Sequence, residues 1–212
     1  MDDEAIIAPE DPKERGARGL FKDGLQYVGE LVRVVVISLA IILPVRYFLL
    51  QPFYVKGASM EPNFYDHEYL IIDELSYRFR APLRGEIVVF RPPTDSTQFF
   101  IKRVVGLPGE TVRSENGYVV IENAEHPEGV RLPESYLNSN AVTIGGQAVV
   151  LEPHQYYVMG DNRSSSLDSR QFGAIGRGTI VGRVWVRGWP LDRVGKFMAP
   201  EYEIDQQTTN HK

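Results

Sequence analysis

"FFIKRVVG", residues 99–106, opens the stretch "FFIKRVVGLPGE" (99–110), and its phenylalanine, isoleucine and valine residues read as a strand. Side chains alternate along a strand, so Phe100, Lys102 and Val104 share one face while Phe99, Ile101, Arg103 and Val105 share the other. Whichever way the strand is turned, a cation sits among apolar neighbours. Most lysines so placed carry their amine out to water along a flexible stem, and buried lysines are rare. Lys102 is therefore either a snorkelling structural residue or a group kept out of water for a reason.

The surrounding chain has the same short, β-branched character. "YLIID" (69–73), "EIVVFR" (86–91), "YVVIEN" (118–123), "AVVLE" (148–152), "QYYVMG" (155–160) and "TIVGRVWVRGW" (179–189) all read as strands. "ENG" before Tyr118 and "IGGQ" at 144–147 carry hairpin turn signals. Nothing beyond residue 50 has a convincing period of 3.6. The expectation for residues 51–197 is an all-β domain, a barrel or a sheet closed on itself. Residues 198–212, "MAPEYEIDQQTTNHK" from Met198, lack an apolar pattern and read as a disordered tail.

The N-terminal part differs. "LVRVVVISLAIILPVRYFLL" (31–50) is apolar all round, and at 1.5 Å per residue it reaches about 30 Å, the thickness of a bilayer's hydrocarbon core. No small-x-small cleavage site follows it, so it reads as a transmembrane helix rather than a cleaved signal. Lys13, Arg15, Arg18, Lys22 and Arg33 lie before or at its start, against only Arg46 and Lys56 close to its other end. The excess of cations predicts a cytoplasmic N-terminus and an extracytoplasmic remainder. Residues 1–30 form the cytoplasmic segment, in which "GLFKDGLQYVGEL" has roughly helical apolar spacing and is expected to lie along the membrane surface.

Composition narrows the chemistry. The 212 residues carry 23 basic and 28 acidic side chains, a formal charge of −5, which argues against nucleic acid as the main partner. There is no cysteine, so disulfides, thiolate metal sites and a cysteine nucleophile are excluded. The four histidines are scattered without an H-E-x-x-H pair, which argues against a zinc site.

Against that background "YVKGASMEPNF" (54–64) gains meaning. Ser59 stands between small residues that leave a backbone approachable, but a serine hydroxyl is a poor nucleophile without a base. A lysine amine, with an ordinary pKa near ~10.4, becomes a base near neutrality only if burial strips water from its charged form. Lys102, flanked by Phe100 and Val104, is placed for that treatment. The rival arrangements are Ser59 with His67 or His154 and Asp161, and a membrane-tethered binding module in which Ser59 and Lys102 are incidental.

"GASMEPNFYDHEYLIID", "RGEIVVFRPP", "FIKRVVGLPGETV" and "GDNRSSSLDSRQFGAIGRGTIVGRV" resemble, in order, four signature blocks of bacterial type I signal peptidases, and cover most of residues 54–187. The resemblance implies a mostly antiparallel, barrel-like β peptidase domain of the signal-peptidase and repressor-peptidase type behind one transmembrane helix. It implies a serine endopeptidase that removes signal peptides after a small-x-small motif, with Ser59 as nucleophile and Lys102 as general base. Ser166 would orient the lysine amine by a hydrogen bond, and Met60 would pack beside the nucleophile. Asp161, Asp168 and Arg170 would shape the site, the last two as an ion pair. The Ser59 N–H would hold the oxyanion; some members add a hydroxyl where this chain has Gly57, which leaves the second donor open. No cofactor or metal is implied. The expected partners are secretory preproteins with Ala-x-Ala signal peptides and membrane lipid, with the secretion machinery as a further one. Self-cleaving repressors share the serine–lysine domain, but they carry a DNA-binding helix-turn-helix where this chain has its apolar run.

Overall fold

The computed structural model describes residues 26–43 and 50–206. Helix α1, Gln26–Leu43, is long and apolar enough to cross a membrane, at about 27 Å, and none of it is buried. It starts earlier than the expected span of 31–50 and takes in the end of the stretch assigned to the membrane surface. The rest of that stretch, and residues 44–49, lie outside the described residues. Leu50, expected to close the span, instead opens strand β1 (Leu50–Tyr54), whose backbone pairs along β2 (Tyr69–Asp73). Helix and β domain fall in separate units of the chain.

The β domain is built from two antiparallel sheets. Strands β3 (Ile87–Phe90), β4 (Phe100–Gly106), β9 (Gln155–Met159), β10 (Ile175–Gly176) and β11 (Ile180–Trp189) join β1 and β2 in the order β1-β2-β11-β3-β4-β9-β10, and β12 (Gly195–Lys196) pairs with β11. The smaller sheet runs β7-β6-β5-β8, from β5 (Thr111–Glu115), β6 (Tyr118–Glu122), β7 (Val130–Arg131) and β8 (Val149–Val150). The mostly antiparallel, barrel-like fold expected from the sequence is present, as a sheet that curls without closing. Register shifts along β11, at Ile180/Gly182, Val184/Val186 and Arg187/Trp189, supply the curl, because each irregularity sharpens the local twist.

Alternation along β3 and β4 divides the core. Ile87 and Val89 pack with Val55, Met60, Phe64 and Leu70 on one side. Val88 and Phe90 pack with Val104, Val158 and Tyr77 on the other. β3 is buried at every position, which is why "EIVVFR" reads as a continuous apolar run rather than an alternating one. A third cluster, around Val105, Val119, Ile121, Tyr157 and Met159, joins the small sheet to the large one.

Two turn expectations divide. Asn116 and Gly117, at φ 50° and 86°, form the two-residue loop between β5 and β6, with Glu115 opposite Tyr118. Gly145 and Gly146 also have positive φ, but β8 pairs with β5, so "IGGQ" belongs to a loop and not a hairpin. The expected disordered tail is corrected over residues 198–206. Tyr202 and Ile204 are buried, residues Glu203–Gln206 form a short helix, and Asp205 meets the buried Arg84 at 2.9 Å. Two buried side chains in nine residues leave no periodic trace, yet Tyr202 packs over Gly85, where a Cβ would lie 2.8 Å from it. Residues 207–212 lie outside the described residues.

Candidate active site

The segment carrying Ser59 is held at both ends. Val55 exchanges backbone hydrogen bonds with Glu68 and His67, and the Phe64 N–H donates to the Met60 carbonyl at 2.9 Å. Met60 and Phe64 are buried, so the turn between them is anchored by its side chains while Ser59 stays half-exposed. Gly57 has φ 91°, a conformation that L side chains rarely adopt, and its N–H donates to Asp66 Oδ1 at 2.9 Å. That amide is thus engaged and does not stand free as a second oxyanion donor.

Lys102 enters from β4. It is 4% exposed, and its Nζ lies 2.7 Å from Ser59 Oγ and 2.9 Å from the Ile101 carbonyl. Burial pushes the amine down to about 8, against the opposing pull of the Asp168 and Asp161 carboxylates. Of the two readings of this lysine, snorkelling fails and burial holds. Neither rival histidine bonds Ser59: His67 pairs with Asp66 at 3.0 Å and stacks edge-on against Tyr54, and the His154 carbonyl receives the Arg177 N–H.

The loop after β9 forms the other wall. The Asn162 N–H donates to the Ser59 carbonyl at 3.0 Å, and the Asn162 side chain donates to the Ala58 carbonyl at 3.1 Å. Asp168 caps the short helix Ser169–Phe172 and binds Arg170 through both oxygens at 2.8 Å. Burial works to raise the Asp168 carboxyl, and the hydrogen bonds from Arg170 and the Gly160 N–H outweigh it and hold it below the ordinary range. Ser166, expected to bond the lysine amine, does not: its Oγ is buried without a hydrogen-bond partner. The hydroxyl is instead packed against Gly160.

Besides Asn162, two members of the site escaped the sequence reading. Arg103, on the opposite face of β4 from Lys102, is also buried and grips Asp161 with Nε at 2.8 Å and Nη2 at 2.6 Å. The alternation noted at the outset already put a second cation on the other face, but nothing local revealed its partner. Gly160 is the second. A Cβ there would lie 2.2 Å from Ser166 Oγ and 2.5 Å from the Ser59 carbonyl oxygen. The serine side chain has little room and the backbone carbonyl none. Gly160→Ala is expected to cost about 2–3 kcal/mol in denaturant unfolding and about 10²-fold in turnover, because displacing Ser59 by a fraction of an ångström spoils its alignment. Wild-type turnover in that variant would show that the loop does not position Ser59.

Ser59 and Lys102 stand at the head of a cleft of about 280 Å³, walled by Phe53, Val55, Leu70, Val89, Phe99 and Ile101. Val89 of β3 lines the cleft, while its neighbours Val88 and Phe90 face the other core. An all-β domain that sets a serine hydroxyl against a buried amine beside an apolar cleft has the equipment of a peptidase. The chain belongs to the signal peptidase family, peptidase S26, whose model matches residues 28–189. It is 39% identical over 172 residues to probable signal peptidase I-2 of Synechocystis sp., covering 78% of this chain and 75% of that one. It is 36% identical over 178 residues to signal peptidase I of Leptolyngbya laminosa, covering 81% and 84%. With signal peptidase IB of Staphylococcus aureus the identity is 28% over 183 residues, covering 81% and 95%.

Proposed function

We propose that this protein is a membrane-anchored endopeptidase that removes signal peptides from exported preproteins, with Ser59 as nucleophile and Lys102 as general base. The observation that carries the reading is the 2.7 Å approach of Ser59 Oγ to an amine whose burial brings it to about 8. In this mechanism neutral Lys102 takes the Ser59 proton as Oγ attacks the scissile carbonyl. The Ser59 N–H receives the developing oxyanion. Lys102 then protonates the leaving amine, and afterwards activates the water that releases the signal peptide from Ser59. Asp161, Asp168, Arg170, Met60 and Ser166 act by positioning these two groups.

The cleft supports the specificity. Lys102 and its neighbours Phe100 and Ile101 pair with β3 on one side, while pairing with β9 begins only at Arg103, so this part of β4 has an open edge among the described strands. An extended peptide added there would alternate its side chains, and the first and third residues before the cut would point into the same apolar wall. Small residues fit that wall, which is the small-x-small rule. Helix α1 anchors the enzyme, with the N-terminus cytoplasmic and the β domain outside, where preproteins with Ala-x-Ala signals arrive beside membrane lipid and the secretion machinery.

The test is cleavage of a detergent-solubilised preprotein by the full chain. Wild type is expected to cut after the Ala-x-Ala site, Lys102→Ala to leave the precursor intact, and tryptophan in place of the alanine before the cut to abolish processing. Unchanged processing of the tryptophan precursor would refute the pocket assignment, and full activity of Lys102→Ala the mechanism.

A further inference from the structure

Gly85 is where the C-terminal stretch of the chain reaches the catalytic strand. Its N–H donates to the Val104 carbonyl at 2.8 Å, and its carbonyl accepts from Arg103 Nη1 at 2.9 Å. Both partners belong to β4, the strand that carries Lys102. Pro200 and Tyr202 lie directly over Gly85, and a Cβ added there would stand 2.8 Å from each. Tyr202 and Ile204 are buried in one cluster with Val105 of β4 and Met159, the last residue of β9. Three residues after Tyr202, Asp205 accepts from Arg84 Nη2 at 2.9 Å. Arg84 also holds Glu110 and donates to the Val105 carbonyl at 2.6 Å. Residues 200–205 are therefore a strap with two fastenings, a ring over Gly85 and a carboxylate on Arg84.

We propose that Tyr202 is a positioning residue for the reaction, holding Ser59 in place through Gly85, Arg103 and Asp161; the inference rests on the Ser59–Lys102 reading. Every link is a packing contact, a hydrogen bond or a peptide bond. The Tyr202 ring presses on Gly85, whose carbonyl fixes one nitrogen of the Arg103 guanidinium. The other two nitrogens grip Asp161. Asn162 follows Asp161, and its N–H and side chain hold the Ser59 and Ala58 carbonyls. Without the ring, water beside Gly85 competes with its carbonyl for the guanidinium, and the grip on Asp161 loosens from behind. The strap lies beyond residue 189, where the match to the family ends. No described residue of the strap lines the apolar cleft, so its effect falls on turnover and not on substrate binding.

The experiment measures cleavage of a detergent-solubilised preprotein by the full chain, each rate divided by the folded fraction from denaturant unfolding. Tyr202→Ala is expected to lose about 10-fold in kcat with KM within about twofold of wild type, because a small displacement of Ser59 is felt in the transition state. Tyr202→Phe keeps the ring over Gly85 and should stay within about twofold of wild type in both constants. Asp205→Ala releases the end of the strap while Arg84 keeps Glu110, and should lose about threefold in kcat. Ile180→Ala is the control for packing loss alone. It truncates a buried side chain in the separate cluster around Val88 and Phe90, and should leave kcat per folded enzyme within about twofold. Where Tyr202→Ala does not fold, Tyr202→Leu, which keeps more of the packed volume, takes its place in the comparison. Wild-type kcat in the folded Tyr202 variant overturns the proposal, and so does an equal loss in Ile180→Ala. If Ser59→Ala and Lys102→Ala are inactive while the Tyr202 variant is unimpaired, the strap inference alone falls. If wild type leaves the precursor uncut, or Lys102→Ala cuts it, the Ser59–Lys102 reading falls, and this inference with it.

Discussion

Lys102→Arg is expected to lose about 10⁴-fold in kcat/KM on a preprotein, as much as Ser59→Ala or Lys102→Ala. Arginine keeps the charge and much of the length of lysine, so a lysine retained for its charge would tolerate the change. A base would not, because guanidinium stays protonated at any working pH and cannot take the Ser59 proton. The same argument sets the pH dependence of the wild type. Burial holds the Lys102 amine at about 8, well below the ordinary lysine value of ~10.4, so the active neutral form grows as the pH rises through about 8. Activity should fall about tenfold per unit below it and level off above it. A kcat/KM profile for the full chain between pH 6 and 9.5 checks the sign and the midpoint. A flat profile, or an active Lys102→Arg enzyme, removes Lys102 from the mechanism.

Asp161→Ala is expected to destabilise the β domain by about 3–5 kcal/mol, a large share of the stability of an ordinary domain. The Arg103 and Asp161 side chains are 5% and 0% exposed, so losing the carboxylate strands a guanidinium where water cannot reach it. Asn63 loses an acceptor at 2.8 Å in the same step. The cost lies in the orphaned charge, more than in the lost attraction. Arg103→Met with Asp161→Leu should therefore recover much of the stability that either single change removes. By contrast, breaking the half-exposed Arg113–Glu122 pair should cost under about 1 kcal/mol. Denaturant unfolding of the four members of the cycle measures the coupling, and additive losses at Arg103 and Asp161 would contradict it. Turnover should fall as well in Asp161→Ala, because Gly160 and Asn162 flank Asp161 and the Asn162 N–H holds the Ser59 carbonyl.

The most legible parts of this protein depend on short-range pattern. The strands at 69–73, 118–122 and 180–189 stand where alternation and β-branching put them, and Asn116–Gly117 turns the chain because both residues tolerate positive φ. β1 was hidden, since "LQPFY" continues an apolar run and differs from a membrane segment only by what it pairs with. β5, "TVRSE", has one buried side chain, Val112, and is a strand because β6 and β8 flank it. The four-residue helices are too short to show any period.

At the site the division is sharper. The sequence by itself determined that an apolar helix precedes an all-β domain, that Lys102 sits among apolar neighbours, and that Ser59 lies in a small, approachable turn, because composition and alternation act over a few residues. Only the tertiary structure decided that Lys102 is buried and 2.7 Å from a serine 43 positions away. It alone decided that Arg103 meets Asp161 across 58 positions, that Val89 rather than Val88 or Phe90 faces the cleft, and that Ser166 packs on Gly160 instead of bonding the amine. The reason is physical: a side chain's burial, its partner and its charge state depend on the atoms that close around it, and those come from strands far apart in the chain.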